Sequence, residues 1–510
     1  MAKVAKKRRK YIPIRYLVAM ALTICIIASI IGSVIALCYY YPKLYALSYL
    51  VQVACVLKIV ASDDNPDYKV PWLLFVLILP ITGFMLYIMF YSRKLKRRFI
   101  KRLKEINDAS YDKCDNDLLA ELKKENLSAH NQALMLLKTS GGHLFKDCQQ
   151  TYLESGQRYM DALIKDLKSA KNFIFIEYFI MEKGKFLSAV IEVLKEKALA
   201  GVEVKLVYDD IGCMVKLPAN YYRTLKKYGI KATPFSKIRG SADSEFNNRS
   251  HRKIAVIDGK IAYTGGVNIA DEYINEFPIY GDFKDGGIRI EGEGVWEFTK
   301  LFLFDYGMNI KEPLQIVGEY FPKTPTDGDG YIIPFGDGPA PLYKYPVSKG
   351  AIQNLLSSAK EYCYITTPYL IIDNDLCQDI ENCAMRGVDV KIIVPHIPDK
   401  KIVFEMSKSY CERLVKSGVK IYEYTPGFIH AKNYVSDDSF AIIGTVNLDY
   451  RSLVHHFENG VWMYKCDCIK DIKQDFLQTL DKCQAFALKE KHGLIRRFFR
   501  SVIRIFAPLL

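Results

Sequence analysis

The chain has 510 residues, of which 71 are basic and 57 acidic, so its formal net charge is +14. Half of the residues are apolar, 13% are aromatic and 25% are charged, a mixture that excludes a disordered or collagen-like chain. The length allows about three domains of ordinary size. The 13 cysteines show no paired CxxC spacing, so we expect free, mostly buried thiols rather than a disulfide framework.

The first hundred residues are typical of a membrane region. Residues 16–38 and 70–91 are uncharged, and each run is long enough to cross a hydrocarbon core of about 30 Å. The apolar segment 44–60 carries Lys58 and is a third span, a re-entrant helix or an interfacial helix. Basic residues flank the first and last runs, which favours two spans with both ends in the cytoplasm. A cleaved signal peptide is the alternative, but the first run is too long for one.

After a polar connector at 101–131, predicted strands alternate with helix-length segments, which favours layered α/β domains with much parallel pairing. Three predicted strands recur in the same order in two halves of the chain. They are 173–179, 201–209 and a strand that starts at 228 in the first half, and 362–369, 387–395 and 418–424 in the second. We predict two pseudo-symmetric domains, at 132–335 and 336–485, followed by a basic amphipathic segment at 486–510.

The pattern H-x-K-x4-D occurs once in each half. The two copies are His251, Lys253 and Asp258, and His430, Lys432 and Asp437. Seven residues after each aspartate begins a G-x-x-N sequence, which ends at Asn268 and Asn447. We take all six motif residues as catalytic candidates, although we expect the two aspartates to support local structure, and we take the asparagines as supporting residues. Two copies at one spacing, inside a larger repeat, indicate a shared site.

A histidine and a lysine two positions apart on a strand face the same side. Two such faces, brought together, provide two imidazoles, two ammonium groups and two amides around a phosphodiester. The lysines and amides can hold the non-bridging oxygens, one histidine can attack phosphorus, and the other can protonate the leaving alcohol. No metal or other cofactor is needed, because the lysines supply positive charge. A zinc or iron site is the alternative, but such sites rarely place a lysine beside each histidine.

These motifs resemble the two HKD motifs of the phospholipase D superfamily, and nearly the whole chain is similar to its bacterial cardiolipin synthases. Further similarities include the approach to the first motif at 247–253, the membrane segment and the C-terminus. They are carried by Asn247, Arg249, Trp72, Pro80, Gly83, Tyr87, Thr367-Pro368-Tyr369, Asp449-Tyr450-Arg451-Ser452 and residues 506–510. Two positions depart from the family pattern, since Thr445 stands where serine is common and His456 where asparagine is usual.

The resemblance implies a reaction in which two phosphatidylglycerol molecules become cardiolipin and glycerol through a phosphohistidine. It implies His251 as the nucleophile and His430 as the acid/base, although the repeat makes the two histidines nearly equivalent. A phospholipase D-like hydrolase and an inactive membrane scaffold are the alternatives. The implied location is the bacterial cytoplasmic membrane, with the catalytic domains in the cytoplasm.

Two acidic residues are candidates for orienting the imidazoles. Asp285 lies 34 residues beyond His251, and Glu458 lies 28 residues beyond His430. We expect each carboxylate to accept a hydrogen bond from the histidine of its own half and to stabilise its charged form. The alternative is that both are surface charges.

The last residues, 487–510, place four arginines among apolar side chains. Such a segment can lie at an anionic headgroup layer, and packing on the domain is the alternative. Much of the positive charge lies in this tail or beside the apolar runs, so we expect anionic lipid, including phosphatidylglycerol, as partner rather than nucleic acid. The sequence does not predict an oligomeric state.

Overall fold

A computed structural model describes residues 14–91, 101–102, 105–106, 115–237, 248–310, 314, 316–322, 326–488 and 493–509. The basic clusters at 3–10 and 93–98, and Asn247, lie outside these ranges. The N-terminal part consists of four helices, which are α1 (Ile14–Tyr40), α2 (Pro42–Val60), α3 (Pro66–Ile78) and α4 (Pro80–Tyr91).

The apolar run predicted as a single span at 70–91 is divided between two short helices, α3 and α4. Leu79 leaves the helical conformation, and Pro80 begins the next helix because proline lacks the amide hydrogen that would continue the first. The two helices pack closely, with the Trp72 and Tyr87 rings 5.8 Å apart. Within the part of the chain that is described, no helix combines the length and apolar character that crossing a membrane requires.

The first α/β domain contains a seven-stranded mixed sheet in the order β2-β9-β7-β6-β3-β4-β5. Within this sheet β3, β4 and β5 pair in parallel, and the other neighbouring strands, including the β6–β7 hairpin, pair antiparallel. The elements up to the end of this domain are α5 (Asn116–Glu125), α6 (Leu127–Ser140), β1 (Phe145–Lys146), β2 (Gln149–Leu153), α7 (Gly156–Ser169), β3 (Phe173–Tyr178), α8 (Lys185–Leu199), β4 (Glu203–Asp209), α9 (Tyr221–Lys226), β5 (Lys231–Phe235), β6 (Lys253–Ile257), β7 (Ile261–Gly265), β8 (Asp282–Lys284), β9 (Gly287–Glu291) and α10 (Val295–Asn309).

The second domain repeats this arrangement in a nine-stranded sheet of order β1-β10-β19-β17-β16-β11-β13-β14-β20. Its central seven strands, from β10 to β14, match the first sheet strand for strand. Its elements are β10 (Tyr331–Asp337), α11 (Val347–Ser358), β11 (Tyr362–Thr366), β12 (Leu370–Ile371), α12 (Asn374–Met385), β13 (Asp389–Pro395), α13 (Lys401–Lys416), β14 (Lys420–Tyr424), β15 (Gly427–Ile429), β16 (Asn433–Ser436), β17 (Phe440–Gly444), β18 (Leu448–Asp449), β19 (Glu458–Tyr464), α14 (Cys468–Leu480), β20 (Cys483–Ala485) and α15 (Leu494–Phe506).

Some segments cross the domain limits expected from the sequence. The boundary at 335/336 falls within β10, which pairs along its length with β19 of the second sheet. Helix α6 also packs on the second domain, where Gln132 accepts a hydrogen bond from the Trp462 indole at 3.0 Å. A segment that lies close to the first half in the sequence can therefore pack in the second domain.

The two sheets share a hydrophobic cluster. It contains Phe175 and Val256 from the first sheet, Ile443 and Val461 from the second, and Trp296 from α10. Because both halves bury apolar area in this cluster, their relative orientation is fixed by packing.

The N-terminal and C-terminal helices contact the second domain. Tyr68 of α3 is hydrogen-bonded to His455 at 2.6 Å, and Arg500 of α15 donates to Glu412 at 2.9 Å and Glu405 at 3.1 Å. Phe498, on the same C-terminal helix, is 73% exposed. The tail therefore packs on the domain through one side and leaves at least this ring uncovered.

Candidate active site

The two motif histidines occupy equivalent positions at the junction of the halves. The backbone amide of His251 donates to the Phe457 carbonyl at 2.8 Å, and that of His430 donates to the Lys284 carbonyl at 2.7 Å. Each histidine lies just before the motif strand, β6 or β16, rather than within it. A backbone contact from the opposite half thus positions each histidine.

The same contacts deliver a carboxylate to each imidazole. Glu458 follows Phe457, and its two oxygens lie 2.9 and 3.0 Å from His251 Nδ1. Asp285 follows Lys284, and its Oδ2 lies 2.7 Å from His430 Nδ1.

The expected pairing of each histidine with the carboxylate of its own half is therefore wrong: the pairs cross between halves. The physical reason is the backbone hydrogen bond between the halves. The residue that follows Phe457 or Lys284 lies beside the histidine that donates to that carbonyl, and this histidine belongs to the other half. Both carboxylates are fully buried, so the alternative of surface charges is also wrong.

The two motifs share one electrostatic site. The pKa of His251 is well below its usual value because the imidazole is buried and because Lys253, Lys432 and His430 are nearby positive groups. Burial and Lys432 likewise lower the pKa of His430 to about 4, against the opposing effect of Asp285. Both imidazoles are therefore neutral near pH 7 in the free protein, and each senses the other motif's lysine.

The two lysines are buried beside the histidines. Lys253 Nζ donates to the His251 carbonyl at 2.6 Å, and Lys432 Nζ lies 2.9 Å from His430 Nδ1. Burial lowers the pKa of Lys253 to about 7 and that of Lys432 to about 8. An anionic phosphodiester in this space would favour the charged form of both lysines.

The two carboxylates differ in length, and the G-x-x-N sequences accommodate the difference. Thr445 Oγ1 donates to Glu458, so the departure from serine keeps the hydroxyl contact. In the first half Gly266 stands at this position, and a Cβ there would lie 2.0 Å from Asp285 Oδ1. Burial raises the pKa of Glu458 to about 7 although Lys253 opposes that shift.

The motif aspartates lie at the opposite end of the motif strands from the histidines, because Asp258 follows β6 and Asp437 follows β16. Asp258 accepts hydrogen bonds from the amides of residues 171–173 at 2.7–2.9 Å. Asp437 accepts from those of residues 360–362 at 2.7–3.0 Å. Each carboxylate thus holds the start of the adjacent strand, as the expectation of a local structural role required.

The two asparagines have unequal environments. Asn268 accepts from the Ile180 amide at 3.0 Å and donates to the Tyr273 hydroxyl at 2.7 Å. Asn447 donates to Asp449 at 3.2 Å, and its buried Oδ1 has no hydrogen-bond partner among the described residues. Asn268 therefore supports neighbouring structure.

Two buried arginines fix the approach to the first motif. Arg249 pairs with Asp209 at 2.9 Å, and Arg252 pairs with Asp305 at 2.9 Å. Breaking a buried ion pair leaves an uncompensated charge, so these contacts hold the backbone on both sides of His251.

The sequence analysis did not identify two aromatic side chains that line the site. The Phe179 ring centroid lies 5.0 Å from that of His251, and the Tyr273 ring centroid lies 5.4 Å from that of His430. Phe179 could have been found from its position at the end of a predicted strand next to the motif strand. Tyr273 follows a loop, and nothing in its spacing marks it.

Two α/β halves that bring paired His-Lys motifs into one buried site define an enzyme of the phospholipase D class. The family model described as "Cardiolipin synthase, PLD-like domain" matches residues 163–276 and 352–480, and one described as "Phospholipase_D-nuclease N-terminal" matches 50–90. Relatives named cardiolipin synthase are 30% and 31% identical over 91% and 96% of this chain, so the chain belongs to the phospholipase D-like cardiolipin synthase family.

Relatives from two bacteria match almost end to end. An uncharacterized protein of Streptococcus mutans is 39% identical, over 90% of this chain and 100% of its own length. A cardiolipin synthase of Geobacillus kaustophilus is 31% identical, over 96% and 99% of the two chains. The crystal structure of a phosphatidylserine synthase from Haemophilus influenzae, 16% identical, has a TM-score of 0.56 and matches 74% of this chain and 98% of its own, which shows a shared fold.

Proposed function

We propose that the protein transfers a phosphatidyl group between two phosphatidylglycerol molecules, giving cardiolipin and glycerol. The observation that carries this proposal is the crossed arrangement of His251 with Glu458 and His430 with Asp285 between two buried lysines. Its support from the comparisons is the cardiolipin synthase domain match and relatives of that name over nearly the full chain.

In the first step His251 attacks phosphorus through Nε2. The new P–N bond forms as the P–O bond to glycerol breaks, and protonated His430 gives its proton to the departing oxygen. Glu458 accepts the Nδ1–H of His251 and stabilises the positive charge that develops on that ring. The bound phosphodiester favours the protonated form of His430, which the free site disfavours.

In the second step a hydroxyl of another phosphatidylglycerol attacks the same phosphorus. Neutral His430, held by Asp285, takes the hydroxyl proton while the P–N bond breaks and His251 is regenerated. Lys253 and Lys432 stabilise the non-bridging oxygens as negative charge grows in both transition states. The charges balance without any further reactant.

The surroundings of the catalytic pair are buried and largely apolar. His251 and His430 are each less than a tenth exposed, which restricts the entry of bulk water. An adjacent cleft is lined mainly by apolar side chains, among them Tyr369, Val394, Pro395 and Phe428. The Phe428 ring lies 6.1 Å from that of His430, so the apolar wall of this cleft extends to the reacting centre.

Incubation of the purified protein with phosphatidylglycerol, followed by mass analysis, tests the reaction. We expect cardiolipin and glycerol in equal amounts. Phosphatidic acid with glycerol would instead show hydrolysis, and no turnover by a folded protein would show a scaffold.

We also propose that the N-terminal helices seat the enzyme in the cytoplasmic membrane, with the catalytic domains in the cytoplasm. These helices carry many exposed large apolar side chains, among them Ile24, Ile35, Leu50, Leu57 and Ile78, and large apolar patches mark membrane or partner surfaces. Alkaline extraction of membranes tests this: an embedded protein stays in the pellet, and release into the supernatant would contradict embedding.

A further inference from the structure

A third imidazole lies beside the catalytic pair, and the transfer reaction does not use it. His456 is 8% exposed, and its ring centroid lies 5.6 Å from that of His251. Neither ring nitrogen has a hydrogen-bond partner among the described residues. Because buried polar groups are almost always hydrogen-bonded, this ring has binding capacity that the fold leaves unused.

His456 completes a set of three potential metal ligands. One ligand atom from each of His251, His456 and Glu458 lies within 4.8 Å of the other two, and all three side chains are buried. Two imidazole nitrogens and one carboxylate oxygen form a donor set that zinc accepts, with a fourth position left for water. The hydroxyl of Thr445 orients the Glu458 carboxylate, as outer hydrogen bonds do at metal sites.

We propose that His251, His456 and Glu458 form a site for a divalent transition metal such as zinc, and that the bound metal inhibits phosphatidyl transfer. Coordination through His251 Nε2 occupies the atom that attacks phosphorus. Coordination through Nδ1 replaces the hydrogen bond to Glu458 and moves the ring proton to Nε2, which removes the attacking lone pair. Either geometry blocks the first step.

Among the residues that the structure describes, the His430 side of the active site has no equivalent ligand set. Phe283 lies against His430, with ring centroids 5.7 Å apart, in the position that His456 occupies against His251. A phenyl ring supplies no ligand atom, and Lys432 Nζ lies 2.9 Å from His430 Nδ1. The proposal therefore predicts one metal ion per chain, bound on the His251 side.

Metal titration of the full-length protein tests this site. Protein freed of metal with a chelator is titrated with cobalt(II), whose visible absorption reports coordination, and separately assayed for transferase activity with added zinc. We expect one cobalt ion per chain, loss of activity on zinc addition and recovery with excess chelator. Failure of cobalt to bind would overturn the proposal whether or not the enzyme makes cardiolipin.

Two substitutions at one position sharpen the test. In His456→Asn and in His456→Phe, which copies the arrangement around His430, we expect the zinc concentration for half inhibition to rise by roughly tenfold or more, each variant being compared with its own metal-free rate. His396→Asn is the matched control, because His396 also faces a carboxylate, Glu423, at 3.4 Å but lies outside the proposed site. Unchanged zinc sensitivity in both His456 variants, or an equal loss of sensitivity in the control, would contradict the proposal.

Discussion

The two halves of the active site perform matching tasks with different side chains. On one side Glu458 reaches His251 and accepts a hydrogen bond from the Thr445 hydroxyl. On the other side the shorter Asp285 reaches His430, and Gly266 leaves the space that this carboxylate fills. The backbone contact that brings each carboxylate across is the same in both halves, so the repeat preserves the crossing while the local side chains vary.

Removing the carboxylate charge should have the largest effect on activity. Glu458→Gln and Asp285→Asn should each lower kcat by about 10²-fold, because the paired imidazole loses its stabilised charged form. If the pairs cross, Glu458→Gln should change the rate at which diethyl pyrocarbonate modifies His251, and Asp285→Asn that of His430, as mapped by peptide mass spectrometry.

Glu423→Gln serves as the matched control for this experiment. Its partner is His396, so only the modification of that histidine should change. A change at His430 rather than His251 in Glu458→Gln would mean that each half is self-contained.

The pH dependence should show loss of activity on the alkaline side. The pKa values of Lys253 and Lys432, about 7 and 8, mean that the free enzyme loses positive charge as pH rises through this range. Loss of lysine charge alone should lower kcat/KM by about tenfold per pH unit between these two values, and by about 100-fold per unit above both, because both lysines are then discharged. Bound phosphodiester raises the lysine pKa values, so the fall in kcat should lie at higher pH. A kcat/KM that stays constant to about pH 9 would show that these lysines are not needed in charged form.

The motif aspartates should show the smallest effect on chemistry. Asp258→Ala and Asp437→Ala each remove a carboxylate that accepts three backbone amides. We expect a loss of about 1–3 kcal/mol in the free energy of unfolding, measured by denaturation, with kcat per folded molecule nearly retained. A large fall in kcat at unchanged stability would return these residues to the catalytic set.

Features that depend on residues close together in the chain could be predicted from the sequence. The strands at 173–178 and 362–366 were predictable from their aromatic and β-branched residues, and the paired motifs from their identical spacing. Pro80 was visible too, and its helix-breaking effect explains why the run at 70–91 is not one helix.

Features that depend on packing between the halves could not be predicted in the same way. His251 and Glu458 are 207 residues apart, and no local pattern says which histidine a distant carboxylate meets. The shared hydrophobic cluster between the sheets decides that, together with the backbone contact at Phe457. The environment of His456 depends on the same packing.

Identification of the covalent intermediate tests the central claim most directly. Enzyme is mixed with phosphatidylglycerol, quenched within the first turnover under alkaline conditions that preserve phosphohistidine, and its peptides are analysed by mass. We predict a phosphatidyl adduct on His251 in the unmodified enzyme and no adduct in His251→Asn. An adduct on His430 alone, or cardiolipin formation by His251→Asn at the unmodified rate, would contradict a single site in which His251 carries the group and His430 moves the proton.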